Sequence, residues 1–411
     1  MAHDITLNTC PKGWNRLKVN QICSITSGST PSRNEAGNFK GNILWVTSGE
    51  LKKRFINSTI EQISEEAAKR SNLKMYEPGT VVIAIYGLEA EGIRGTASIV
   101  GKKCTISQAC MAFTDFKSVS NDYFYYWYLN NGQIIGLRFA QGTKQQNLST
   151  DIVGNLPICF PPLAEQKKIA AILSTQDRVI ELKEKRLAEK LLQKKYLMQV
   201  LLSGKKRLHS CTDDWCNQQL GSAFDERVET NCTGLELLSI TGTKGILPQS
   251  EIDKKNNASE DKSKYRRICN GDIGYNTMRM WQGVSAYSEY EGIVSPAYTI
   301  LKPRKEIDAR FFSYLFKLKS VITLFQRHSQ GLVDDTLNLK YEHFRTINLL
   351  VPKSKQEQVA IAERLLTADR ELSLLRADLE QERQKKKALM QLLLSGIVRV
   401  NAKGGEADGA V

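Results

Sequence analysis

Histidine and cysteine come close together at one place in the sequence, at His209, Cys211 and Cys216. Imidazole and thiolate groups at such short spacing suggest a structural zinc site. A site of that kind needs four ligands, and its cysteines usually come in closely spaced pairs. The segment supplies neither a fourth ligand nor such a pair, so the sequence predicts no metal site.

Three other catalytic patterns are incomplete as well. Asp253, Glu260 and Lys262 have the residue types of a nuclease centre, but their strongly polar segment predicts a solvated loop. Residues 203–206 lack the upstream glycine of a phosphate-binding loop. Residues 160–163 contain the two prolines of an amino-methyltransferase motif without its flanking groups, and they predict the start of a helix instead. We therefore expect the polypeptide to catalyse nothing by itself.

Readout of DNA bases is the chemistry for which the sequence offers the most candidates. It requires hydrogen-bonding side chains on loops that reach a groove, supported by phosphate contacts. Loops at residues 27–34, 87–95 and 141–147 have this composition, as do loops at 275–283 and 327–331. The side chains predicted to contact DNA are Ser29, Thr30, Arg33, Arg94, Thr143, Lys144, Gln145, Lys244, Tyr275, Asn276, Arg279, Gln282, Arg327 and Gln330. An ordinary solvated loop is the alternative for each of them.

The overall charge agrees with such a role without deciding it. The net charge is +14, and a surplus of this size favours a polyanionic partner, although other basic proteins have it too. The sequence has no apolar run of about 18 residues and no basic patch followed by an apolar stretch at its start. The nine cysteines are scattered without a repeated spacing. We therefore expect a cytoplasmic protein with reduced thiols and no membrane contact.

Two long helices are predicted to position these loops. Residues 164–202 and 354–395 contain neither glycine nor proline and are rich in strong helix formers. Each would be about 55–60 Å long at the α-helical rise. Prolines precede both stretches, and Gly204 and Gly396 follow them, where a left-handed cap is favourable.

A narrow apolar stripe follows each predicted helix with a spacing of mostly seven residues. Such a stripe on a charged helix is typical of a coiled coil, so we expect the two helices to pair antiparallel and to hold two domains at opposite ends. Two unrelated surface helices are the alternative. The residues predicted to form the pairing surface, or to face partner subunits, are Leu173, Ile180, Leu187, Leu191, Met198, Leu365, Leu372, Leu379 and Leu389.

The two helices belong to a unit that the chain contains twice. Residues 194–204 reappear with few changes as residues 386–396, and both copies end on Leu-Leu-Ser-Gly. The similarity continues more weakly upstream, where residues 122–129 resemble residues 308–315. Because the order of the matches is kept, we infer a duplication in which the globular parts have diverged.

The chain is therefore predicted to be an α+β protein with two mixed domains, an internal pseudo-twofold repeat and a pair of long antiparallel helices. In the first domain, strands are expected at residues 41–47, 80–85 and 109–113. The predicted parts are a first recognition domain at 1–161, a helix at 162–204, a linker at 205–213, a second recognition domain at 214–351, a helix at 352–398 and a disordered tail at 399–411.

This plan resembles the specificity subunit of type I restriction–modification systems. The resemblance rests on the order of domain and long helix, repeated once, and on Gln-x-x-Ile/Val-Ala and Lys-Lys-x-Leu-Met-Gln-x-Leu-Leu-Ser-Gly in both helices. Residues 27–32 and 43–46 are also typical of the first domain of such subunits. The recognition domains vary so much in this family that base-contacting residues cannot be transferred.

The resemblance implies a non-catalytic DNA-binding subunit that recognises a bipartite, asymmetric site. Each globular half would recognise one half-site, and the helices would set the gap and bind two modification subunits that methylate adenine. Restriction subunits, where present, would add ATP-driven translocation and cleavage. S-adenosylmethionine, ATP and Mg²⁺ would be held by those partners, with none in this chain. The competing hypothesis is a coiled-coil scaffold without base-specific readout.

Overall fold

The computed structural model describes residues 10–35, 37–142, 146–208, 213–242, 245–251, 261–331 and 336–401. The chain divides into two compact units. The first unit comprises Met1–Lys183 and Asp378–Val411, and the second comprises Glu184–Ala377. Each unit therefore contains one globular half of the chain and a segment of each long helix.

Short strands and a few helices make up the globular half of the first unit. The strands are β1 (Asn15–Lys18), β2 (Ser24–Ser27), β3 (Ile43–Val46), β4 (Phe55–Ile56), β5 (Gln62–Ile63), β6 (Val81–Ala84), β7 (Ala97–Val100), β8 (Cys104–Ile106), β9 (Cys110–Thr114) and β10 (Pro157–Phe160). The helices are α1 (Val19–Ile22), α2 (Glu65–Arg70), α3 (Asn121–Phe139), α4 (Thr150–Gly154) and the long α5 (Leu163–Leu201), and a 3-10 turn lies at Ser48–Glu50. The predicted strands coincide with β3, β6 and β9.

The central sheet of the first unit has the strand order β2-β9-β6-β7-β4. Neighbouring strands among the first four in this order are antiparallel, and β4 pairs with β7 in parallel. Strands β6 and β7 contain only buried residues, as expected for short apolar runs covered on both faces. Helix α3 packs against these strands, and its aromatic residues 123–128 are buried. The other strands form the sheet β5-β3-β8 and the antiparallel ribbon β1-β10.

Among its described residues, the globular half of the second unit contains ten further strands. They are β11 (Trp215–Gln219), β12 (Phe224–Glu226), β13 (Leu238–Thr241), β14 (Gly245–Pro248), β15 (Arg266–Ile268), β16 (Ile273–Asn276), β17 (Ser285–Tyr287), β18 (Gly292–Val294), β19 (Tyr298–Pro303) and β20 (Asn348–Pro352). The helices are α6 (Leu220–Ala223), α7 (Ala309–Leu315), α8 (Lys319–His328), α9 (Tyr341–Phe344) and the long α10 (Lys355–Leu394), with 3-10 turns at Gln249–Glu251 and Met280–Gln282.

The central sheets of the two units share their topology. The order β12-β19-β16-β17 repeats β2-β9-β6-β7. In each sheet, the strand that comes first in the sequence lies at the edge and pairs with the strand that comes last. The ribbon β11-β20 repeats β1-β10, and each ribbon leads into a long helix. The structure therefore confirms an α+β fold in which the duplicated unit includes the sheets, although their sequences have diverged.

The long helices are antiparallel to each other within each unit. In the first unit, Lys183 lies 2.7 Å from Asp378, and Lys386 lies 2.6 Å from Asp177. In the second unit, Lys190 lies 2.8 Å from Glu371 and Lys194 pairs with Asp369. In both units, residues later in α5 pair with residues earlier in α10. The predicted antiparallel pairing is therefore confirmed. No helix in the described part of the chain is long and apolar enough to cross a membrane.

The apolar stripe of these helices is buried over most of its length. Leu173, Leu365, Leu372 and Leu379 are buried, while Ile180, Leu187, Met198 and Leu389 are half-buried. Leu191 departs from the predicted stripe, because it is 40% exposed. Near Leu191, Lys190 and Lys194 form ion pairs with Glu371 and Asp369 of α10. The contact between the two helices is therefore polar at this position.

Both long helices end in the same backbone turn. Gly204 and Gly396 each have a φ of +71°, which favours glycine, and the predicted left-handed caps are thus confirmed. Beyond them, the amide of Lys206 donates to the carbonyl of Val200, and the amide of Val398 donates to that of Leu392. Each glycine lies against a tryptophan, Gly396 against Trp14 and Gly204 against Trp215.

A disulfide corrects the expectation that all cysteines are reduced. It joins Cys10 to Cys159, whose Cα atoms are 5.8 Å apart. The β1-β10 ribbon places Cys159 opposite Arg16, and the chain before β1 turns back on itself, with the amide of Trp14 donating to Pro11. A sequence separation of 149 residues concealed this proximity. Cys23, Cys104 and Cys110 are buried free thiols, as predicted.

Candidate nucleic-acid interface

Two of the predicted loops of the first unit leave its central sheet at the same edge. Ser27, the last residue of β2, pairs with Met111, and Ala84, the last residue of β6, pairs with Cys110. Both partners lie at the beginning of β9. The loops at residues 28–34 and 85–96 therefore start side by side.

The loop after β6 also contacts the loop that follows α3. The amide of Leu88 donates to the carbonyl of Gln146 at 3.2 Å. The Glu89 carboxylate accepts from the amide of Gln146 at 2.9 Å, and Arg94 Nη2 donates to Gln146 Oε1 at 2.7 Å. Two loops that were predicted separately are thus joined through Gln146.

The Arg94 guanidinium binds Gln146 and so connects two loops of its own unit. Its aliphatic stem packs on Gly136, where a Cβ atom would come within 2.6 Å of Arg94 Cγ. The side chain of Gln133 also donates to the Arg94 carbonyl at 2.8 Å. Arg94 was predicted to contact DNA, and its contacts here hold the loop after β6 against α3.

The second unit repeats this arrangement of two loops. The amide of Leu339 donates to the carbonyl of Thr277 at 2.8 Å, as the amide of Leu148 donates to Ile85 at 2.9 Å in the first unit. A single β-bridge closes the second loop of each pair, Gln330 with Asn338 and Gln141 with Asn147. We call these the paired loops: residues 85–96 with 141–142 and 146–148, and residues 277–284 with 330–331 and 336–339.

The hydroxyl-rich loop after β2 is engaged by its own unit. The Ser29 carbonyl accepts from Trp45 Nε1 at 3.3 Å, and Thr30 Oγ1 accepts from the Gln108 amide at 3.5 Å. Arg33 forms two hydrogen bonds with Glu61, at 2.9 and 2.8 Å. This contact raises the pKa of Arg33 and lowers that of Glu61. A phosphate contact by Arg33 would have to compete with that carboxylate.

Tyr275 corrects the prediction for the second unit. Its side chain is fully buried and stacks on Phe344, with ring centroids 5.4 Å apart, so it belongs to the core. The residue lies inside β16, two positions before the loop at residues 277–284 begins. Asn276 is half-buried, and its side-chain oxygen accepts from the Met278 amide at 3.0 Å.

The remaining predicted DNA contacts of the second unit lie on its surface. Arg279, Gln282, Arg327 and Gln330 are exposed, and all four belong to the paired loops or to the helix end beside them. Thr143, Lys144, Gln145 and Lys244 lie outside the described residues, as do His209, Cys211, Asp253 and Glu260. Within the described ranges, no group of three or more metal-ligating side chains occurs.

The contacts of a glutamine near the start of each long helix were not predicted from the sequence, although the repeated motif contains it. Gln166 Nε2 donates to the carbonyls of Pro161 and Ser118, and its Oε1 accepts from the amide of Ser120, just before α3. Gln358 makes the equivalent contacts with Pro352 and Asp308, just before α7. The signal was the glutamine of the repeated Gln-x-x-Ile/Val-Ala motif.

A buried carboxylate beside each of these glutamines is neutralised from the far end of the other long helix. Arg399 binds Glu165 at 2.8 and 2.7 Å in the first unit. Arg207 binds Glu357 at 2.9 and 2.7 Å in the second. The Glu165 side chain is 6% exposed and that of Glu357 is 1% exposed. Each arginine follows its Leu-Leu-Ser-Gly sequence at the same distance, which could have revealed it.

An aspartate in each long helix binds both a globular part and the neighbouring helix. In the first unit, the Tyr126 hydroxyl of α3 donates to Asp177 at 2.6 Å. In the second, the Tyr314 hydroxyl of α7 donates to Asp369 at 2.7 Å. Lys386 and Lys194 pair with these two aspartates. The repeated residues of the helices therefore fix each globular part to its helix pair.

Comparisons with known proteins agree with this architecture. A sequence model described as the type I restriction modification DNA specificity domain matches residues 11–192. The MjaIX specificity subunit of Methanocaldococcus jannaschii is 27% identical over 179 residues, which are 43% of this chain and 40% of that protein. The MjaVIII specificity subunit of the same organism is 22% identical over 429 residues, covering 95% of this chain and 94% of that protein.

A solved structure shares the fold. The crystal structure of the type I restriction-modification S subunit from M. genitalium superposes with a TM-score of 0.58 at 16% identity, covering 94% of this chain and 97% of that one. The chain is thus similar in sequence to type I restriction–modification specificity subunits, with the specificity-domain model matching residues 11–192, and it shares the fold of a solved S subunit.

Proposed function

We propose that this chain recognises a bipartite, asymmetric DNA site, with the paired loops of each unit reading one half-site. The observation that carries the proposal is the same two-loop arrangement, at the same place on the same sheet, with different side chains. The first unit offers Glu89 and Glu91 there, whereas the second offers Arg279, Gln282 and Gln330. One frame with two sets of hydrogen-bonding groups suits a site whose halves differ.

The proposal assigns catalysis to partner subunits. Methylation of adenine with S-adenosylmethionine, and cleavage with ATP and Mg²⁺ where a restriction subunit exists, would take place on those partners. This chain would contribute sequence recognition alone. A coiled-coil scaffold without base readout fits less well, because the similarity to specificity subunits and the diverged loops both favour DNA recognition.

Two copies of a modification subunit are the proposed main partners. Leu182 and Leu374 occupy equivalent positions in the two long helices and are 50% and 71% exposed. An exposed leucine repeated at the same place on a charged helix suits an apolar contact with the same partner made twice. The loops would have diverged because they read two different half-sites. The helix surfaces would have stayed similar because they bind two identical partners.

Filter binding tests the central proposal. The full chain, with its modification subunit, is mixed with random DNA and with a pool enriched from methylated genomic sites, at several salt concentrations. Phosphate contacts weaken as salt rises, whereas contacts to base edges maintain the preference for the cognate pool. We expect that preference to persist at high salt. Binding that ignores sequence at every salt concentration would refute the proposal.

A further inference from the structure

The loop between β16 and β17 has a rigid internal structure. The amide of Arg279 donates to the Asn276 carbonyl at 3.1 Å, and the amides of Gln282 and Val284 both donate to the Arg279 carbonyl. Gly283 closes the turn with a φ of +77°. The loop therefore has a single backbone path, which is what base readout requires of the side chains that it carries.

One face of this loop points inward and the other outward. Met280 is fully buried in the core of the second unit. Arg279 and Gln282, on either side of it, are exposed, and Met278 is 50% exposed. Guanidinium and amide groups at these positions are the types that bind guanine and adenine edges in pairs of hydrogen bonds.

Lys317 lies beneath the outgoing end of the loop. Its ammonium group donates to the Gly283 carbonyl at 2.7 Å and to the Ser285 carbonyl at 2.6 Å. The lysine follows α7, and its own amide donates to the Tyr314 carbonyl at 3.0 Å, so its backbone is tied to the core of the unit. Two carbonyls from the end of the loop thus converge on one cation.

This lysine is costly for the fold. Its burial lowers its pKa to about 8, which means that the surroundings disfavour its charge. Elsewhere in the same unit Lys355 also donates to a carbonyl, that of Lys305 at 2.6 Å, but from an exposed position. A lysine placed at the surface could not hold the carbonyls at Gly283 and Ser285 from below.

We infer that Lys317 is a positioning residue for base recognition by the second unit, acting through Arg279 and Gln282. By holding the carbonyls at the end of the loop, it sets the direction in which these two side chains leave the surface. The inference rests on the proposed function, because it assumes that the second unit reads a half-site. It adds a half-buried residue that would touch no DNA yet would determine how selectively the DNA is read.

The test is the variant Lys317→Met in the full chain with its modification subunit. Methionine keeps most of the stem but has no donor. Binding is measured to duplexes carrying every single-base change in both half-sites, and to random DNA. We expect discrimination to fall about tenfold at one half-site only, with the other half-site and the affinity for random DNA unchanged. Lys355→Met, which removes the exposed lysine contact, should retain discrimination at both half-sites.

The possible results separate this inference from the proposed function. A Lys317→Met chain that discriminates like the wild type, or loses discrimination equally at both half-sites, overturns the role of Lys317 while DNA recognition by the wild type stands. A wild type without base preference overturns both. Should Lys317→Met fail to fold, Lys317→Gln, which keeps one amide donor, is compared in the same way and decides by the same criteria.

Discussion

Glu165 and Glu357 are carboxylates that the fold has taken out of water, and each is neutralised by one arginine. Removing one partner of a buried pair costs more than the pair contributes, because the remaining charge is left without compensation. Exposed pairs such as Arg33 with Glu61 contribute little, since water solvates both groups. These two kinds of ion pair should therefore respond differently to the same substitution.

Replacing Arg399 by Met should destabilise the first unit at pH 7, because the Glu165 carboxylate is left buried without its counter-charge. The pKa of Glu165 is lowered by its bond to Arg399. The stabilisation is therefore fully present above the ordinary value of 4.5 and is lost as the pH falls through the lower pKa of the folded state. Urea unfolding of wild type and variant at pH 7 and at pH 3.5 measures this. Arg33→Met is the control, and an Arg399→Met loss no larger than the control's would contradict the prediction.

At the level of elements, the long helices combine an apolar stripe with ion pairs that fix their register. Lys183 binds both Asp378 and Glu382, at 2.7 and 2.8 Å, and Gln176 donates to the Glu382 carboxylate at 2.6 Å. A seven-residue step preserves the stripe, so both helices tolerate insertions of that length better than others. The equivalent exposed leucines, Leu182 and Leu374, are 50% and 71% exposed on these helices.

Charging the two equivalent leucines should remove the modification subunits one at a time. Leu182→Glu and Leu374→Glu are each expected to lower the number of bound subunits from two to one, and the double variant should bind none, because a carboxylate cannot enter an apolar contact without cost. Analytical ultracentrifugation counts the subunits. Leu192→Glu changes a leucine that is 67% exposed and has Gln384 as its counterpart, so it is a matched control. Equal losses in the control would show that the effect is not specific to the repeated positions.

Inserting seven residues into both long helices should change the gap between the half-sites. Each helix would gain about 10 Å while its apolar stripe stays in phase. Mapping of methyladenine with long reads compares the motif before and after the insertion. An unchanged gap would show that these helices do not set it.

The sequence was most informative where local chemistry decides the structure. Absence of glycine and proline defined both long helices, and Gly204 and Gly396 marked their ends, because a left-handed turn is a local requirement. It was least informative where distant segments meet. Cys10 and Cys159 are brought together only by the β1-β10 ribbon, and Tyr275 turns inward only because of the sheet on which it lies.

The candidate site shows the same division. The polarity of the loops was visible in the sequence, so Arg279 and Gln282 could be selected from it. The role of Arg94 was not visible, because it depends on contacts with Gly136 and Gln146 on other elements. Lys317 was also missed, since a lysine in sequence looks exposed until packing buries it.

For the whole molecule, each unit has its own sheets, core and loops, which suits independent recognition of the two half-sites. The core clusters of the first unit and those of the second contain different residues throughout. We therefore expect that the globular half of one unit can be exchanged without changing the half-site that the other unit recognises.

Replacing residues 1–160 by the first domain of another specificity subunit should alter one half of the methylated motif only. The reason is that Gln166 and Asp177, which fix the domain to its helix pair, lie outside the exchanged segment. Methylome sequencing gives the result. A motif changed in both halves would contradict modular recognition, and exchange of residues 214–351 is the reciprocal control.

Arg399 and Arg207 each also contact the backbone just before the first strand of their unit. Arg399 also donates to the Lys12 carbonyl at 2.7 Å, just as Arg207 also donates to the Asp213 carbonyl at 2.5 Å. In the second unit the two contacting residues are six positions apart in sequence, whereas in the first unit they are 387 positions apart. The same contact is therefore made between neighbouring segments of the chain in one unit and between segments distant in sequence in the other. A circular permutant that joins residue 401 to residue 10 through a short linker and opens within 208–212 should fold and recognise the same DNA, so the order of the two copies along the gene would be interchangeable.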